Sequence, residues 1–224
     1  MRVVIAGAGS VGRSIARELL ASDHEVMLVD KQPSAMRVAS VADAEWLLAD
    51  ACELSTLSQA RVDECDVIVA ATGDDKVNLV VSLLAKTEYG VPRTVARVNN
   101  PKNEWMFDEG WGVDVAVSTP RIMTAMVEEA VAVGDLVKIF SFHQSGADIL
   151  ELTLPEGSEL EGTRVGDVTW PPDTVLAAIV RSGRPLAPSP DDTLEVGDEL
   201  LIVAGSDADL DALHGLLVAR PAAR

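Results

Sequence analysis

A glycine-rich motif at the start of the chain constrains its fold more than any other feature. Gly7-Ala8-Gly9-Ser10-Val11-Gly12 directly follows the apolar run Val3–Ala6 and opens a stretch whose apolar residues recur at helical spacing. A strand that ends in GxGxxG and continues as a helix is typical of dinucleotide-binding folds. Gly7 permits the tight turn, Gly9 lets the backbone approach a pyrophosphate, and Gly12 lets helix and strand pack closely. We therefore expect residues 7–12 to contact a nucleotide whose phosphate faces the helix N-terminus.

An acidic residue at the end of the second apolar run supports this interpretation. Asp30 closes the run Val26–Val29 and lies 18 residues beyond Gly12. Its carboxylate would accept hydrogen bonds from an adenosine ribose, and its charge would repel a 2′-phosphate. The pattern favours NAD or a simple adenine nucleotide over NADP. The alternative is a vestigial turn of the same shape that binds no ligand.

The first half of the chain alternates short apolar runs with amphipathic stretches, which is typical of βαβ units around a parallel sheet. We predict an α/β, doubly wound Rossmann sheet. Thr119 is expected to cap a last helix, with Pro120 at its first position, that ends near Gly134. The six predicted strands are Val3–Ala6, Val26–Val29, Glu45–Leu48, Val67–Ala71, Thr94–Val98 and Val113–Val117.

After Gly134 the pattern changes to strands separated by Gly, Pro and Asp turns, which indicates a second, smaller α+β domain. We expect a nucleotide-binding domain over residues 1–135, a second domain over 136–220, and a frayed tail over 220–224. The predicted strands of the second domain are Leu136–Phe142, Ile149–Leu154, Thr174–Arg181 and Leu200–Ala204, and its predicted helices are Gly162–Val168 and Asp207–Ala219.

Further candidate ligand residues follow the third, fourth and fifth strands, because open α/β sheets bind ligands at the carboxyl ends of their strands. Asp50-Ala51 would line the adenine, and Thr72-Gly73 would approach a phosphate or a second ribose. Arg97 interrupts an apolar strand and would reach a phosphate as a bidentate donor. For Asp50 and Thr72 a role as turn residues is equally compatible with the sequence. Lys31 can reach a ligand, although a solvated lysine is the simpler interpretation.

Composition excludes several classes of function. The formal net charge is −18, so the surface repels nucleic acids and anionic lipids. No apolar run approaches the ~20 residues of a membrane-spanning helix. Cys52 and Cys65 have no metal-ligand spacing and fit a reducing compartment. Asp191-Asp192 could hold a divalent cation, but a solvated acidic surface is the favoured interpretation.

Residues for proton transfer beside a nicotinamide are difficult to place. His24 falls in the turn before the second strand and Tyr89 at a helix end before Gly90, whereas His143 and His214 belong to the second domain. We therefore expect a binding protein and no enzyme. The alternative is an NAD-dependent oxidoreductase with a small C-terminal domain. A redox-sensing transcription regulator would require a basic DNA-binding helix, which the sequence lacks.

Taken together, these motifs resemble the regulatory subunits of Trk/Ktr potassium transporters, which combine an RCK (KTN) N-terminal domain with an RCK C-terminal domain. The run Ala70-Ala71-Thr72-Gly73-Asp74-Asp75 with Asn78 is the most specific part of the resemblance. Further matching elements, which extend the likeness over residues 1–219, are Gly7–Gly12, Val29-Asp30-Lys31, Ala49-Asp50-Ala51, Ala96-Arg97-Val98, Gly112-Val113-Asp114, Ser118-Thr119-Pro120, Ile179-Val180-Arg181, Pro188, Asp192-Thr193-Leu194 and Gly197-Asp198.

The resemblance implies a cytoplasmic subunit on the inner face of the cell membrane that binds NAD(H), ATP, ADP or AMP and gates a membrane potassium channel subunit. It also implies that Ala71 and Asn78 join the ligand residues. Family members form dimers through the helix after the sixth strand, and the dimers build a homo-oligomeric ring or a ring with a sister RCK subunit. The apolar stripe Ile122, Met126, Val127 and Ala130 would then meet a partner, unless it packs within its own domain. Some ATP-responding relatives carry an arginine between the second and third glycines, where this chain has Ser10 and Val11, and Arg13 would point elsewhere. This departure favours NAD or a diphosphate as the ligand.

Overall fold

The computed structural model describes residues 1–131, 134–142 and 145–217, without the side chains of residues 128–130. Within it the chain forms two compact units, Met1–Arg121 and Ile122–Arg224. His143, the side chain of Ala130 and the tail 220–224 lie outside the described part. The domain boundary that we expect after residue 135 remains a prediction.

The first unit contains a parallel six-stranded sheet with the order β3-β2-β1-β4-β5-β6. The chain adds β2 and β3 on one side of β1 and then crosses over to add β4, β5 and β6 on the other side. This reversal creates a crevice at the carboxyl ends of β1 and β4, where doubly wound sheets bind ligands. The strands are β1 Arg2–Ala6, β2 Glu25–Asp30, β3 Glu45–Leu48, β4 Val67–Ala70, β5 Arg93–Val98 and β6 Val115–Ser118.

Side chains alternate between two apolar layers, one on each face of this sheet. Val4 and Ala6 of β1 belong to one layer, whereas Val3 and Ile5 belong to the other. Both faces are therefore buried, which explains why the strands are continuous apolar runs. The helices of this unit are α1 Ser10–Ala21, α2 Leu54–Gln59 and α3 Asp75–Tyr89, with a 3₁₀ turn at Pro101–Met106 after β5.

The second unit is built on an antiparallel sheet with the order β10-β9-β11-β8-β7. Its core is rich in leucine and includes Leu152, Ile179, Leu200 and Leu213. A helix, α4 Thr119–Val131, precedes the sheet. The other elements are β7 Val137–Ser141, β8 Asp148–Thr153, β9 Thr174–Arg181, β10 Arg184–Leu186, β11 Glu199–Ala204 and α5 Leu210–Leu217.

The predicted fold class is confirmed: a doubly wound parallel sheet is followed by a smaller α+β unit. The helix predicted over Gly162–Val168 is wrong, since only Val165–Asp167 forms a 3₁₀ turn. The N–H groups of Gly162 and Gly166 instead bond to the carbonyl oxygens of Leu194 and Pro190, so this segment pairs with a neighbouring loop.

Several element ends differ from the predictions by a few residues. The sixth strand begins at Val115 instead of Val113, because a left-handed turn at Gly112 and the two residues after it precede the sheet pairing. The following helix includes Thr119, which we had predicted as its cap. The last helix begins at Leu210 instead of Asp207, and residues 218–219 of its predicted range lie outside the described part.

Among the described residues, every helix is too short or too polar to cross a bilayer.

Candidate functional site

A cavity of about 460 Å³ lies at the carboxyl edge of the parallel sheet, at the crevice between β1 and β4. It brings together most of the residues predicted from the sequence. Ala8, Gly12 and Asn78 are the predicted residues that do not line it. Its walls are formed by Gly7, Gly9, Ser10, Val11, Val29, Asp30, Lys31, Gln32, Asp50, Ala51, Ala71, Thr72, Gly73, Asp74, Val77 and Arg97.

The glycine loop forms the floor of the cavity. Gly7 has a φ of +110°, and a Cβ there would lie 2.9 Å from the backbone of Ala71 and Thr72. A Cβ at Gly12 would collide with the carbonyl oxygen of Gly7, so this glycine lets α1 approach β1. Gly9 has open space around its Cβ position and is the N-cap of α1, where no side chain caps the helix. The first N–H groups of α1 are therefore available to an anion.

Asp30 is fixed at the end of β2 by two backbone groups. The N–H of Ala8 donates to its Oδ2 and the N–H of Gln32 to its Oδ1, both at 2.8 Å. A carboxylate offers about four lone-pair sites, so each oxygen can accept one further hydrogen bond. Since Asp30 lines the cavity, its carboxylate is oriented to accept two hydroxyl groups. Ala8 thus supports the site through its backbone.

Lys31 and Asp50 form an ion pair that joins the ends of β2 and β3. Lys31 Nζ lies 3.1 Å from Asp50 Oδ2, and the N–H of Cys52 donates to Asp50 Oδ1 at 3.0 Å. The hydrogen bond from the Cys52 N–H lowers the pKa of Asp50, and the Lys31 ammonium group lowers it further. In turn, the hydrogen bond to Asp50 raises the pKa of Lys31. Asp50 therefore serves both as a turn residue and as part of the cavity wall, and Lys31 is paired across the rim.

Thr72 and Asn78 form a polar cluster behind the β4 end of the cavity. The Thr72 N–H and hydroxyl donate to Asn78 Oδ1 at 2.9 and 2.6 Å. Asn78 Nδ2 donates to the carbonyl oxygen of Arg97 at 2.8 Å. Asn78 is fully buried and does not line the cavity, so the structure places it behind the wall.

Asp75 fixes the backbone that follows β5. It accepts hydrogen bonds from the N–H groups of Asn99 and Asn100 and from the side-chain amides of Asn99 and Asn103. Burial by itself would raise the pKa of Asp75, but these four donors hold it below its usual value. The network ties the backbone after β5 to the start of α3.

Arg97 is the cationic residue on the β5 side of the cavity. Its Nε is buried and has no hydrogen-bond partner among the described residues. An unpaired buried donor is costly, which suits a residue whose partner is an anion. Together with the start of α1, Arg97 makes this part of the cavity suitable for phosphate, although Asp30, Asp50 and Asp74 give the wall more acidic than basic side chains.

Four residues that line the cavity are not among those predicted from the sequence: Val29, Gln32, Asp74 and Val77. Two of them carried local signals. Gln32 closes an Asx-turn with Asp30, and Asp74 caps α3 by accepting the N–H of Lys76. Val29 and Val77 are ordinary apolar positions, so only the fold reveals that they face the cavity.

His24 and Tyr89, the candidate proton-transfer residues of the first unit, do not line this cavity. His24 follows α1 at the amino edge of the sheet, as expected. The Tyr89 hydroxyl donates to the carbonyl oxygen of Leu54 at 2.7 Å and contacts Ser58. Within residues 1–131, 134–142 and 145–217, no cluster of three His, Cys, Asp or Glu side chains is arranged to hold a metal ion.

Comparisons with known proteins agree on both halves of the chain. Residues 3–119 match the family model described as the TrkA-N domain, and residues 149–217 match the TrkA-C domain. The chain is 51% identical over 217 residues to the Trk system potassium uptake protein TrkA of Mycobacterium tuberculosis, covering 97% of this chain and 99% of that protein.

Solved structures show the same fold. The GsuK channel bound to NAD aligns with 100% of this chain at a TM-score of 0.67 and 18% identity. GsuK bound to ADP aligns with 57% of this chain at a TM-score of 0.51 and 26% identity. This chain spans 40% and 33% of those two channel chains.

Proposed function

This chain belongs to the Trk family of potassium uptake proteins, and we propose that it acts there as a regulatory subunit that binds NAD(H) or an adenine nucleotide. The observation that carries the proposal is the cavity that combines an uncapped helix start, the oriented carboxylate of Asp30 and the unpaired Nε of Arg97. These groups suit phosphate and ribose hydroxyls. The solved structures of GsuK with NAD and with ADP support the same ligand class.

Asp30 also favours NAD(H) over its 2′-phosphorylated form. Both carboxylate oxygens are already held by backbone N–H groups, so the side chain cannot easily turn away from a ligand. A 2′-phosphate would place like charges next to each other. The ion pair of Lys31 with Asp50 further reduces the positive charge that such a phosphate would need.

Binding without turnover follows from the residues around the cavity. Its described walls hold three carboxylates, one lysine and one arginine, and neither histidine nor tyrosine. The lysine is engaged by Asp50, and the guanidinium of the arginine offers hydrogen-bond donors but no acceptor. We therefore infer that the ligand acts as a signal. An NADH oxidation assay with common metabolites separates this role from the oxidoreductase alternative, which predicts steady loss of absorbance at enzymatic rates.

The partner surface that we propose is the exposed face of α4. Ile122, Met123, Met126 and Val127 are between 44% and 64% exposed, although they are apolar. An exposed apolar stripe of this length is typical of an interaction site. We propose that this face joins two copies of the chain and that the assembly sits beneath a membrane potassium channel subunit. We also propose that the boundary between the two domains lies near residue 135. A sedimentation mass equal to one chain would contradict the pairing of two copies.

Regulation requires that the ligand distinguishes two shapes of this assembly, because a ligand shifts an equilibrium only by its differential affinity. Cells that depend on this chain for potassium uptake provide the test. We expect Asp30→Ala to abolish uptake that depends on the regulator, whereas Asp43→Ala, an exposed carboxylate outside the cavity, retains it. Normal uptake with Asp30→Ala at normal protein level would overturn the proposal.

A further inference from the structure

The strands β4 and β5 separate at the cavity, and the side chains of Asn78 and Asn99 bridge the gap. Their backbone pairing ends at Ala70 and Ala96. Beyond this point Thr72 and Arg97 both line the cavity. Arg97 still pairs with β6 through Val117 on its other side. The β4 side of Arg97 therefore lacks a strand partner.

Asn99, directly after β5, donates from its side-chain amide to the Thr72 carbonyl oxygen at 3.0 Å, and Asn78 connects Thr72 with Arg97 itself. Asn78 Oδ1 accepts the N–H of Thr72 at 2.9 Å, and its Nδ2 donates to the carbonyl oxygen of Arg97 at 2.8 Å. Both partners are backbone groups of fixed polarity, so the orientation of the amide is determined by them. The side chain acts like one additional peptide unit inserted between the two diverging strands. It is fully buried and comes from the first turn of α3.

We propose that Asn78 is a positioning residue that sets the separation of Thr72 and Arg97, and thereby the affinity of the cavity for the phosphate groups of its ligand. The inference rests on the proposed nucleotide binding and concerns only its phosphate part. Asn78 acts through Arg97, since it holds the Arg97 carbonyl oxygen. The buried Nε of Arg97 has no partner among the described residues and is available to a phosphate. A displaced guanidinium would lose the geometry that a charge-assisted hydrogen bond needs.

The test compares the affinities of ADP and adenosine, whose difference isolates the phosphate contribution. In wild type we expect ADP to bind more tightly than adenosine. Asn78→Ala should weaken ADP about tenfold, the effect of a lost hydrogen bond to a charged group, and leave adenosine nearly unchanged. In an Arg97→Met background, Asn78→Ala should have no further effect on ADP, because the two residues act as a unit.

Ser82→Ala is the matched control, since Ser82 is equally buried on α3 and donates only within the helix, to the carbonyl oxygen of Asn78. We expect it to retain the full difference between ADP and adenosine. If Asn78→Ala does not fold, Asn78→Ser decides, because one hydroxyl can satisfy one of the two backbone partners but cannot span both. For that variant we expect the same selective loss in milder form.

Two results would overturn the inference while leaving nucleotide binding intact. One is an equal loss of ADP and adenosine affinity in the folded Asn78 variants, which indicates a general structural role. The other is additivity of the Asn78 and Arg97 effects. If wild type binds neither compound, this inference is overturned, whereas the proposed function fails only if NAD(H), ATP and AMP also fail to bind.

Discussion

At the scale of single residues, the glycine loop serves both packing and binding, and different glycines are required for each. Gly7 and Gly12 are required by the backbone: a Cβ at either position meets main-chain atoms. Gly9 has no atom within 4 Å of its Cβ position and lines the cavity. Its value therefore lies in the space that it leaves for a ligand.

This separation predicts opposite effects for two alanine substitutions. Gly12→Ala should lower the free energy of unfolding by more than about 2 kcal/mol, because rigid backbone must move. Gly9→Ala should leave it within about 0.5 kcal/mol but weaken nucleotide binding at least about tenfold by crowding the pyrophosphate. Urea denaturation and calorimetric titration measure the two quantities. Loss of stability in Gly9→Ala with unchanged binding would show that the assignment is reversed.

At the scale of elements, a buried ion pair holds the second sheet together. Arg181 at the end of β9 makes a two-pronged contact with Asp198 before β11, at 2.7 and 2.8 Å. The Asp198 side chain is 0% exposed. Burial by itself would raise the pKa of Asp198, but the Arg181 guanidinium and the Glu195 N–H lower it. The pair thus stabilises the fold while the carboxyl is ionised.

The sign of the pH dependence follows from that lowered pKa. In wild type this contribution is complete above the unfolded pKa of about 3.9 and is lost as the pH falls through the lower folded pKa. Arg181→Met leaves a buried carboxylate that protonation relieves. We expect Arg181→Met to lower the free energy of unfolding by about 2–3 kcal/mol at pH 7 and by less at pH 4. The value at pH 7 is near the low end for broken buried pairs because the Arg181 side chain is 30% exposed.

Urea denaturation at both pH values measures this difference, with Arg184→Met on the exposed strand β10 as control. A loss for Arg181→Met that is equal at pH 7 and pH 4 would show that Asp198 does not titrate with the fold. A loss of similar size in Arg184→Met would point to a general effect of charge removal.

The sequence predicted those elements whose apolar residues recur at a regular spacing within the element itself. The inner strands β1, β2 and β4 are buried on both faces and read as apolar runs, so their order of appearance and their type were evident. The helix predicted over Gly162–Val168 failed because its polar backbone groups bond to residues 190–194. That pairing depends on distant sequence, which local periodicity does not report.

For the site, the sequence identified the residues at strand ends but not the division of labour among them. Asp30 and Arg97 are placed as expected at the cavity wall. Asn78 belongs to the same motif, yet it bridges two backbones behind the wall. A one-dimensional motif does not distinguish a residue that lines a site from one that holds the lining in place.

At the scale of the whole molecule, net charge sets the conditions for ligand binding. With a formal charge of −18, the chain repels a nucleotide at long range. Attraction must therefore come from the few groups at short range, namely the α1 start and Arg97. This dependence on local geometry is compatible with a sensor, because small changes of the cavity alter the affinity.

Calorimetric titration of the purified chain with NAD⁺, NADH, ATP, ADP and AMP tests the central claim most directly. We predict that at least one of these ligands binds at one site per chain. Asp30→Ala should weaken it about a hundredfold through the loss of two hydrogen bonds to a charged acceptor, whereas Asp43→Ala binds normally. Absence of binding for all five compounds, or unchanged binding by Asp30→Ala, would contradict the account.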